Sequence, residues 1–184
     1  GSELLALAKL LQAPVVSQRG GRGVIDDRSC FSQTYPAGHR LWPQVDVVLA
    51  VGTRLKYPRL HWGTDAGLSI IHIDIDAAEL NRISEPTVPV HGDAKLSVGA
   101  LVTALEKIIK SRESREEELS ALKNSMRAQF EQVQPQLAYL DVIRRELPED
   151  GIFVDEITQV GYTSWYGFPV YSPRTFISSG YAGN

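Results

Sequence analysis

The stretch LSIIHIDID, residues 68–76, sets an apolar run containing Ile70, Ile71 and Ile73 directly against two carboxylates, Asp74 and Asp76. A run of β-branched residues without clean alternation is the pattern of a parallel strand covered on both faces. In open parallel sheets ligands lie beyond the carboxyl ends of the strands, so a side chain at such an end is presented to a crevice. Asp74 has that place. Asp76 is followed by Ala77, Ala78 and Glu79, a capping-box spacing in which the acid accepts the first helical amides and Glu79 reaches back. Two roles stand open for Asp74: a hydrogen bond to a neighbouring loop amide, or contact with a ribose or adenine group of a nucleotide.

Working outward, PVVS (14–17) and VDVVLAVG (45–52) are short runs of the same kind. TVPVH (87–91) alternates, but Pro89 cannot donate to a ladder and places that strand at a sheet edge. The separations exceed the dozen or so residues that a parallel crossover needs. ELLALAKLLQA (3–13) puts Leu4, Leu7 and Leu11 on one helical face, with Pro14 as its stop. HGDAKLSVGALVTALEKII (91–109) starts a helix at Asp93 as N-cap, with Leu101, Leu105 and Ile108 turned inward. The expected fold is α/β, an open parallel sheet with flanking helices. VGTRL (51–55) ends the second strand with Gly52, Thr53 and Arg54, a small residue and a cation at a strand terminus, which repeats the situation of Asp74. RGGRG (19–23) is similar to a phosphate-cradling loop but has neither the G-x-x-x-x-G-K-[ST] nor the G-x-G-x-x-G spacing, and reads as a flexible turn.

Composition removes several classes of function. The chain has 184 residues, 43% of them hydrophobic, enough for one packed domain or a domain with part of another. A net charge of -3 gives no basic footprint for nucleic acid. The single cysteine, Cys30, makes no internal disulfide and fits a reducing compartment, so the cytoplasm is the expected location. No apolar run approaches the roughly 20 residues that span a bilayer. His39, His61, His72 and His91 are scattered without metal-ligand spacing, and no serine sits in G-x-S-x-G.

After residue 110 the composition changes. SRESREEELSALKNSMRAQFEQVQPQ (111–136) is charge-rich and free of glycine, with Leu119, Leu122, Met126 and Phe130 at helical intervals, and reads as a solvated helical linker over 111–134. PQLAYLDVIRRELPEDG (135–151) makes an amphipathic helix, and IFVDE (152–156) and RTFISSG (174–180) make strands of a second α/β unit. The expected organisation is 1–110, a linker 111–134, and the start of a further domain over 135–184.

The order APVVSQRGGRGVIDD, VDVVLAVGTRL, IIHIDIDAAELNR, VPVHGDAKLSVGAL, LPEDGIFVDEITQ, PRTFISSGYAGN resembles the thiamine diphosphate-dependent enzymes of the acetolactate synthase and decarboxylase type, over nearly the whole chain. The resemblance implies a dinucleotide-binding-like middle domain lacking its first strand, followed by a truncated diphosphate-binding domain. The glutamate that activates thiamine and the G-D-G...N magnesium segment would lie outside these residues, so the resemblance places no catalytic or metal residue here and implies that this stretch alone is inactive. It implies that Ile157, Thr158 and Gln159 lie near the cofactor's diphosphate and that Gly183 approaches the thiamine ring. Where relatives read G-Q-H this chain has Thr158, Gln159 and Val160, so a histidine contact is lost. In relatives that hold FAD or ADP, the matching contacts are Gly52, Thr53, Arg54, Asp74, Asp93 and Ala94, although GVIDDRSCFSQ (23–33) departs from the usual G-x-x-P-x-x-H-P pattern. The parent would use thiamine diphosphate and magnesium on a 2-keto acid, as a decarboxylase or carboligase, and assemble as a homodimer or homotetramer, with neither nucleic acid nor membrane as partner. The alternatives are a stand-alone module for FAD, ADP or NAD, and a non-catalytic scaffold.

Overall fold

In chain order the elements are α1 (Ser2–Leu11), β1 (Val15–Val16), β2 (Ser32–Gln33), α2 (Tyr35–Leu41), β3 (Val47–Val51), β4 (Ser69–Asp74), α3 (Ala77–Leu80), β5 (Val88–His91), α4 (Ala94–Leu105), α5 (Glu116–Phe130), α6 (Gln136–Glu146), β6 (Phe153–Asp155), α7 (Gln159–Gly167) and β7 (Phe176–Ser178). The computed structural model describes residues 1–63, 67–110 and 112–178. By contact the chain forms two compact units, His39–Lys110, and Gly1–Gly38 with Ser111–Asn184. All strand pairs are parallel, and helices flank them, so the chain is an open α/β protein. No helix of the described residues is long and apolar enough to cross a membrane.

In His39–Lys110 the strand order is β3-β4-β5. The central strand carries the apolar run: Ile70, His72 and Ile73 are buried. β5 is the edge, and its Pro89 lies opposite His72, where its missing N–H disturbs no inner ladder. Val47 faces Ser69 and Val51 faces Ile73, so β3 and β4 end together. Asp93 caps α4 by accepting from the Leu96 amide at 2.9 Å. The helix stops at Leu105, which leaves Ile108 off its face and 75% exposed, against the sequence reading. A capping acid fixes a start, whereas nothing in Glu106-Lys107 fixes a stop.

The other unit holds two strand pairs, β1 with β2 and β6 with β7. PVVS narrows to two residues and bonds to Ser32–Gln33, a segment whose polar sequence hid a strand. Two apolar clusters hold this unit. Ala8 of α1, Ile25, Phe31 and Leu119 form one, bordered by Leu4, Leu5, Val15, Val24 and Cys30. Leu140, Phe168, Val170 and Phe176 form the other, with the Phe153 and Phe168 rings stacked at 4.2 Å.

The segment read as a solvated linker is helical, as α5, but it is not fully solvated. Glu116, Glu117 and Glu118 occupy the first turn and Arg127 the last, the charge order that a helix dipole favours. Positions 119, 123, 126 and 130 share a face, and Leu119 and Met126 on it are buried. Burying leucine contributes roughly 1.5–3 kcal/mol. Lys123 lies on the same face, half-buried, and its Nζ donates to the carbonyls of Asp27 at 2.6 Å and Ser29 at 2.5 Å. Burial holds this ammonium below the usual lysine range, partly offset by Asp27. Charge density misled the reading because a lysine stem packs as an apolar group while its head finds carbonyls.

Candidate functional site

Six residues singled out in the sequence line the carboxyl edge of the β3-β4-β5 sheet. The Gly52 amide donates to the Ile73 carbonyl at 2.9 Å and the Gly92 amide to the Asp74 carbonyl at 2.9 Å, which ties the three strand ends side by side. Gly52 has φ +58°, a left-handed turn that glycine takes without strain, and space for a side chain there is open. The Thr53 hydroxyl accepts from the Leu55 amide at 3.3 Å. Asp93 caps α4, and Ala94 is the first residue of that helix.

Asp74 has the loop-amide role: its Oδ1 accepts from the Asp76 amide at 2.9 Å. Asp76 in turn caps α3, accepting from the Ala78 amide at 2.9 Å. The capping box is only half made. Glu79 does not reach back, because Asp74 already holds the Asp76 amide and two cations draw Glu79 away. Its carboxylate accepts from Arg54 Nε at 2.8 Å and Arg82 Nη1 at 2.5 Å. The hydrogen bond from Arg54 is the largest influence and, with that from Arg82, holds the Glu79 carboxyl below its usual range against the opposing effect of desolvation. The cation expected to face a ligand is therefore already paired.

Behind this edge, His72 is buried in β4, with Nδ1 3.1 Å from the Leu80 carbonyl. A carbonyl partner requires the proton on Nδ1. Nε2 is buried, without a hydrogen-bond partner among the described residues, and lies 3.8 Å from Asp74 Oδ2. His91 Nε2 lies 3.0 Å from the Ile75 carbonyl. Among the described residues no cluster of three or more His, Cys, Asp or Glu side chains forms a metal site.

In the other unit, the turn from β6 to α7 carries the remaining residues. Thr158 caps α7, its hydroxyl accepting from the Gly161 amide at 2.9 Å. The Ile157 amide donates to Glu156 Oε1 at 2.7 Å and the Thr158 amide to the Glu156 carbonyl at 2.8 Å. Gln159 is exposed, and its Oε1 accepts from Gln136 Nε2 at 2.6 Å. The turn leads into a helix start, and the Glu156 carboxylate already occupies the Ile157 amide there. Gly183 lies outside the described residues.

Sequence reasoning missed what holds this turn. Asp155, at the end of β6, is buried and accepts from Trp165 Nε1 at 2.5 Å. A Cβ on Gly161 would stand 1.9 Å from the Glu156 carbonyl oxygen, so the tight passage from strand to helix needs glycine. The C-terminal end of α7 is clamped by Arg22. Its buried guanidinium donates to the carbonyls of Trp165 and Phe168, and pairs with Asp27 at 2.7 Å. RGGRG therefore folds as a support for α7 and not as a phosphate cradle: Arg19–Gly21 form a single 3₁₀ turn, and Arg19 lies over the Trp165 ring. An arginine serving carbonyls across 142 residues of sequence leaves no local signal.

The model of one family, described as thiamine pyrophosphate enzyme, central domain, matches residues 1–101, more than half of the chain. The chain belongs to this family. Curated relatives extend the likeness past residue 101. The probable 2-ketoarginine decarboxylase AruI of Pseudomonas aeruginosa is 29% identical over 184 residues, covering 96% of this chain and 33% of that protein. The probable acetolactate synthase large subunit of Methanococcus aeolicus is 29% identical over 213 residues, covering 98% of this chain and 35% of its own length. The acetolactate synthase large subunit of Corynebacterium glutamicum is 25% identical, covering 98% of this chain and 31% of that one. The chain thus spans about a third of the length of the curated relatives it matches. Thiamine diphosphate is the cofactor of this family; the sheet edge lies within the matched residues and the start of α7 beyond them.

Proposed function

We propose that this chain is the central part of a thiamine diphosphate-dependent enzyme that decarboxylates a 2-keto acid or joins it to a second carbonyl compound. The observation that carries this reading is the family match over residues 1–101, together with relatives of decarboxylase and synthase type aligned over 96–98% of the chain. On this reading 1–110 is the central domain, 111–134 the link, and 135–184 the start of the domain that holds the diphosphate. When bound, thiamine diphosphate supplies the carbanion that attacks the keto group and the electron sink that follows decarboxylation. This chain's contribution is orientation: Thr158 and Gly161 set the start of α7, and Ile157 and Gln159 offer an amide and a side-chain amide to the diphosphate once Glu156 swings aside. Magnesium and the activating carboxylate come from outside these residues, so the chain by itself has no turnover. The whole enzyme is cytoplasmic and acts as a homodimer or homotetramer.

The sheet edge fits FAD or ADP poorly. Asp74 has spent Oδ1 on the Asp76 amide and Arg54 has spent its charge on Glu79, which leaves Gly52, Thr53, Asp93 and Ala94 without a charged partner for a phosphate. We read this edge as scaffold.

The test is carbon dioxide release from pyruvate and from 2-ketoarginine, with thiamine diphosphate and magnesium added. Measurements use this chain alone and the chain with the flanking sequence of its gene. Cofactor-dependent release only by the extended protein is expected, and the substrate turned over separates the synthase and decarboxylase readings. Turnover by neither form on any 2-keto acid would overturn the assignment. FAD or ADP binding by this chain, seen by calorimetry, would overturn the scaffold reading of the edge.

A further inference from the structure

Helix α3, a single turn over Ala77–Leu80, is held at both ends by two side chains of one strand. His72 and Asp74 are two apart in β4, so they lie on the same face of the sheet. At the C-terminal end of α3, His72 Nδ1 meets the Leu80 carbonyl at 3.1 Å. At the N-terminal end, Asp74 Oδ1 accepts from the amide of Asp76, the residue that caps the helix. The remaining polar atoms of the same two side chains are turned toward each other. Nε2, buried with no hydrogen-bond partner among the described residues, stands 3.8 Å from Asp74 Oδ2.

That separation is longer than a hydrogen bond. With its proton on Nδ1, the neutral ring offers only a lone pair at Nε2, and a carboxylate offers only lone pairs, so two acceptors face each other and lack a proton between them. Nε2 is closed to solvent, but a proton needs no cavity, and Asp74, its side chain 12% exposed, joins the ring to water. Imidazole is the side chain whose ordinary titration falls between about pH 5 and 8. The other charged groups nearby are engaged elsewhere. On β5, Pro89 lies opposite His72 and His91 opposite Asp74, with His91 Nε2 at 3.0 Å from the Ile75 carbonyl. β3 sets Ala50 opposite His72 and carries no titratable residue. Glu79 of α3 is held by its two arginines and titrates below its usual range, outside the imidazole window. In α4, Asp93 accepts from the Leu96 amide and Lys95 is exposed, while Arg59 of the turn Pro58–Trp62 donates to the Glu85 carbonyl.

We propose that His72 and Asp74 form a proton-operated latch on α3. One proton from water binds Nε2, the imidazole becomes imidazolium, and a charge-assisted hydrogen bond from Nε2 to Asp74 Oδ2 closes the gap by about 1 Å. Asp74 keeps the Asp76 amide on Oδ1 and His72 keeps the Leu80 carbonyl on Nδ1, so closure links both ends of α3 in one continuous chain of hydrogen bonds. The helix carries Glu79, which pairs with Arg54 and Arg82, and the latch therefore acts on the rim of the sheet edge. It uses no thiamine chemistry and stands apart from the function assigned above.

The test follows the His72 ring nitrogens, the Asp74 carboxyl carbon and the Asp76 amide by NMR in the isotope-labelled 184-residue chain, from about pH 8 to about pH 5. At the alkaline end the ring is expected to be neutral with its proton on Nδ1. On acidification Nε2 gains a proton, and the Asp74 and Asp76 signals shift at the same midpoint. Asp74→Asn keeps an oxygen for the Asp76 amide and turns an N–H donor on Nε2. It is expected to hold the latch shut without a proton, with loss of the pH dependence of the Asp76 amide. His91→Gln is expected to leave the wild-type titration as it is, and unshifted amides elsewhere report that each variant is folded. Four results would each overturn the proposal: a ring that stays neutral throughout, a proton on Nε2 at the alkaline end, an Asp76 amide that does not move with the ring, or one that still moves in Asp74→Asn. An Asp76 shift abolished by His91→Gln would do the same, by moving its origin to His91.

Discussion

Two strand-to-helix turns in this chain are built from the same residue types and reach opposite ends. Both finish a parallel strand on an aspartate, Asp74 in β4 and Asp155 in β6, and both cap the next helix with a side chain, Asp76 or Thr158. At the first, the carboxylate turns back to the local Asp76 amide and the edge stays open above Gly52. At the second, the carboxylate is buried on Trp165 and the backbone closes on Gly161 with no room for a methyl group. The first turn is held by local hydrogen bonds near solvent, where each is worth little. The second is held by groups far apart in sequence and out of water, where each loss leaves an unpaired partner.

That contrast orders the expected effects of mutation. Arg22→Met removes the clamp on α7, takes the counter-charge from Asp27 and the side-chain donor from the Trp165 and Phe168 carbonyls; a loss of ~3–5 kcal/mol is expected in urea denaturation, and a loss under 1 kcal/mol would show that the second turn is no more dependent on distant groups than the first. Gly161→Ala forces the backbone apart at Glu156 and is expected to cost ~1–3 kcal/mol. Alanine at Gly52 meets open space, yet its left-handed φ of +58° costs of order 1–2 kcal/mol, so a larger loss at 52 than at 161 would invert the comparison. Lys123→Met keeps the packing stem but takes the ammonium donor from the Asp27 carbonyl and from the Ser29 carbonyl, which keeps the Ser32 amide, with ~1–3 kcal/mol expected from the same denaturation measurement. Asp76→Ala removes only a local cap, for ~1 kcal/mol, measured by fluorescence of Trp42 and Trp62, which lie in that unit.

The smallest effect is one of pH. The Glu79 carboxyl is held below its ordinary 4.5 in the folded chain, so the stability that it contributes is fully present above that value. It is lost as the pH falls through the lower folded value. Wild type and Glu79→Gln should therefore differ at neutral pH and converge on acidification. A difference that persists unchanged to low pH would mean that the Arg54–Glu79–Arg82 cluster is not what holds the first turn's rim.

The parts of the molecule legible in the sequence are those with a short-range cause. Apolar runs marked β3 and β4, Pro89 marked the edge strand, and Asp76 and Asp93 marked helix starts, because each of these effects acts within a few residues. The alignment of Gly52, Asp74 and Asp93 along one edge followed from the rule for parallel sheets and stands in the structure. Misread features depended on distant partners. Ser32–Gln33 became a strand only because Val15–Val16 lay beside it, α5 buried Leu119 because α1 and Phe31 offered a surface, and Glu79 left its capping role because Arg54 arrived from another loop.

From sequence alone, then, came the α/β class, the family, and the strand ends at which chemistry would be sought, since periodicity, capping and motif order are properties of neighbouring residues. Tertiary structure decided which of those residues remain free. Whether a carboxylate, a guanidinium or a glycine faces a ligand or its own fold depends on the group that packing delivers within about 3 Å, the range of a hydrogen bond. Here Glu79 took Arg54, Glu156 took the Ile157 amide, and Asp155 took the Trp165 indole.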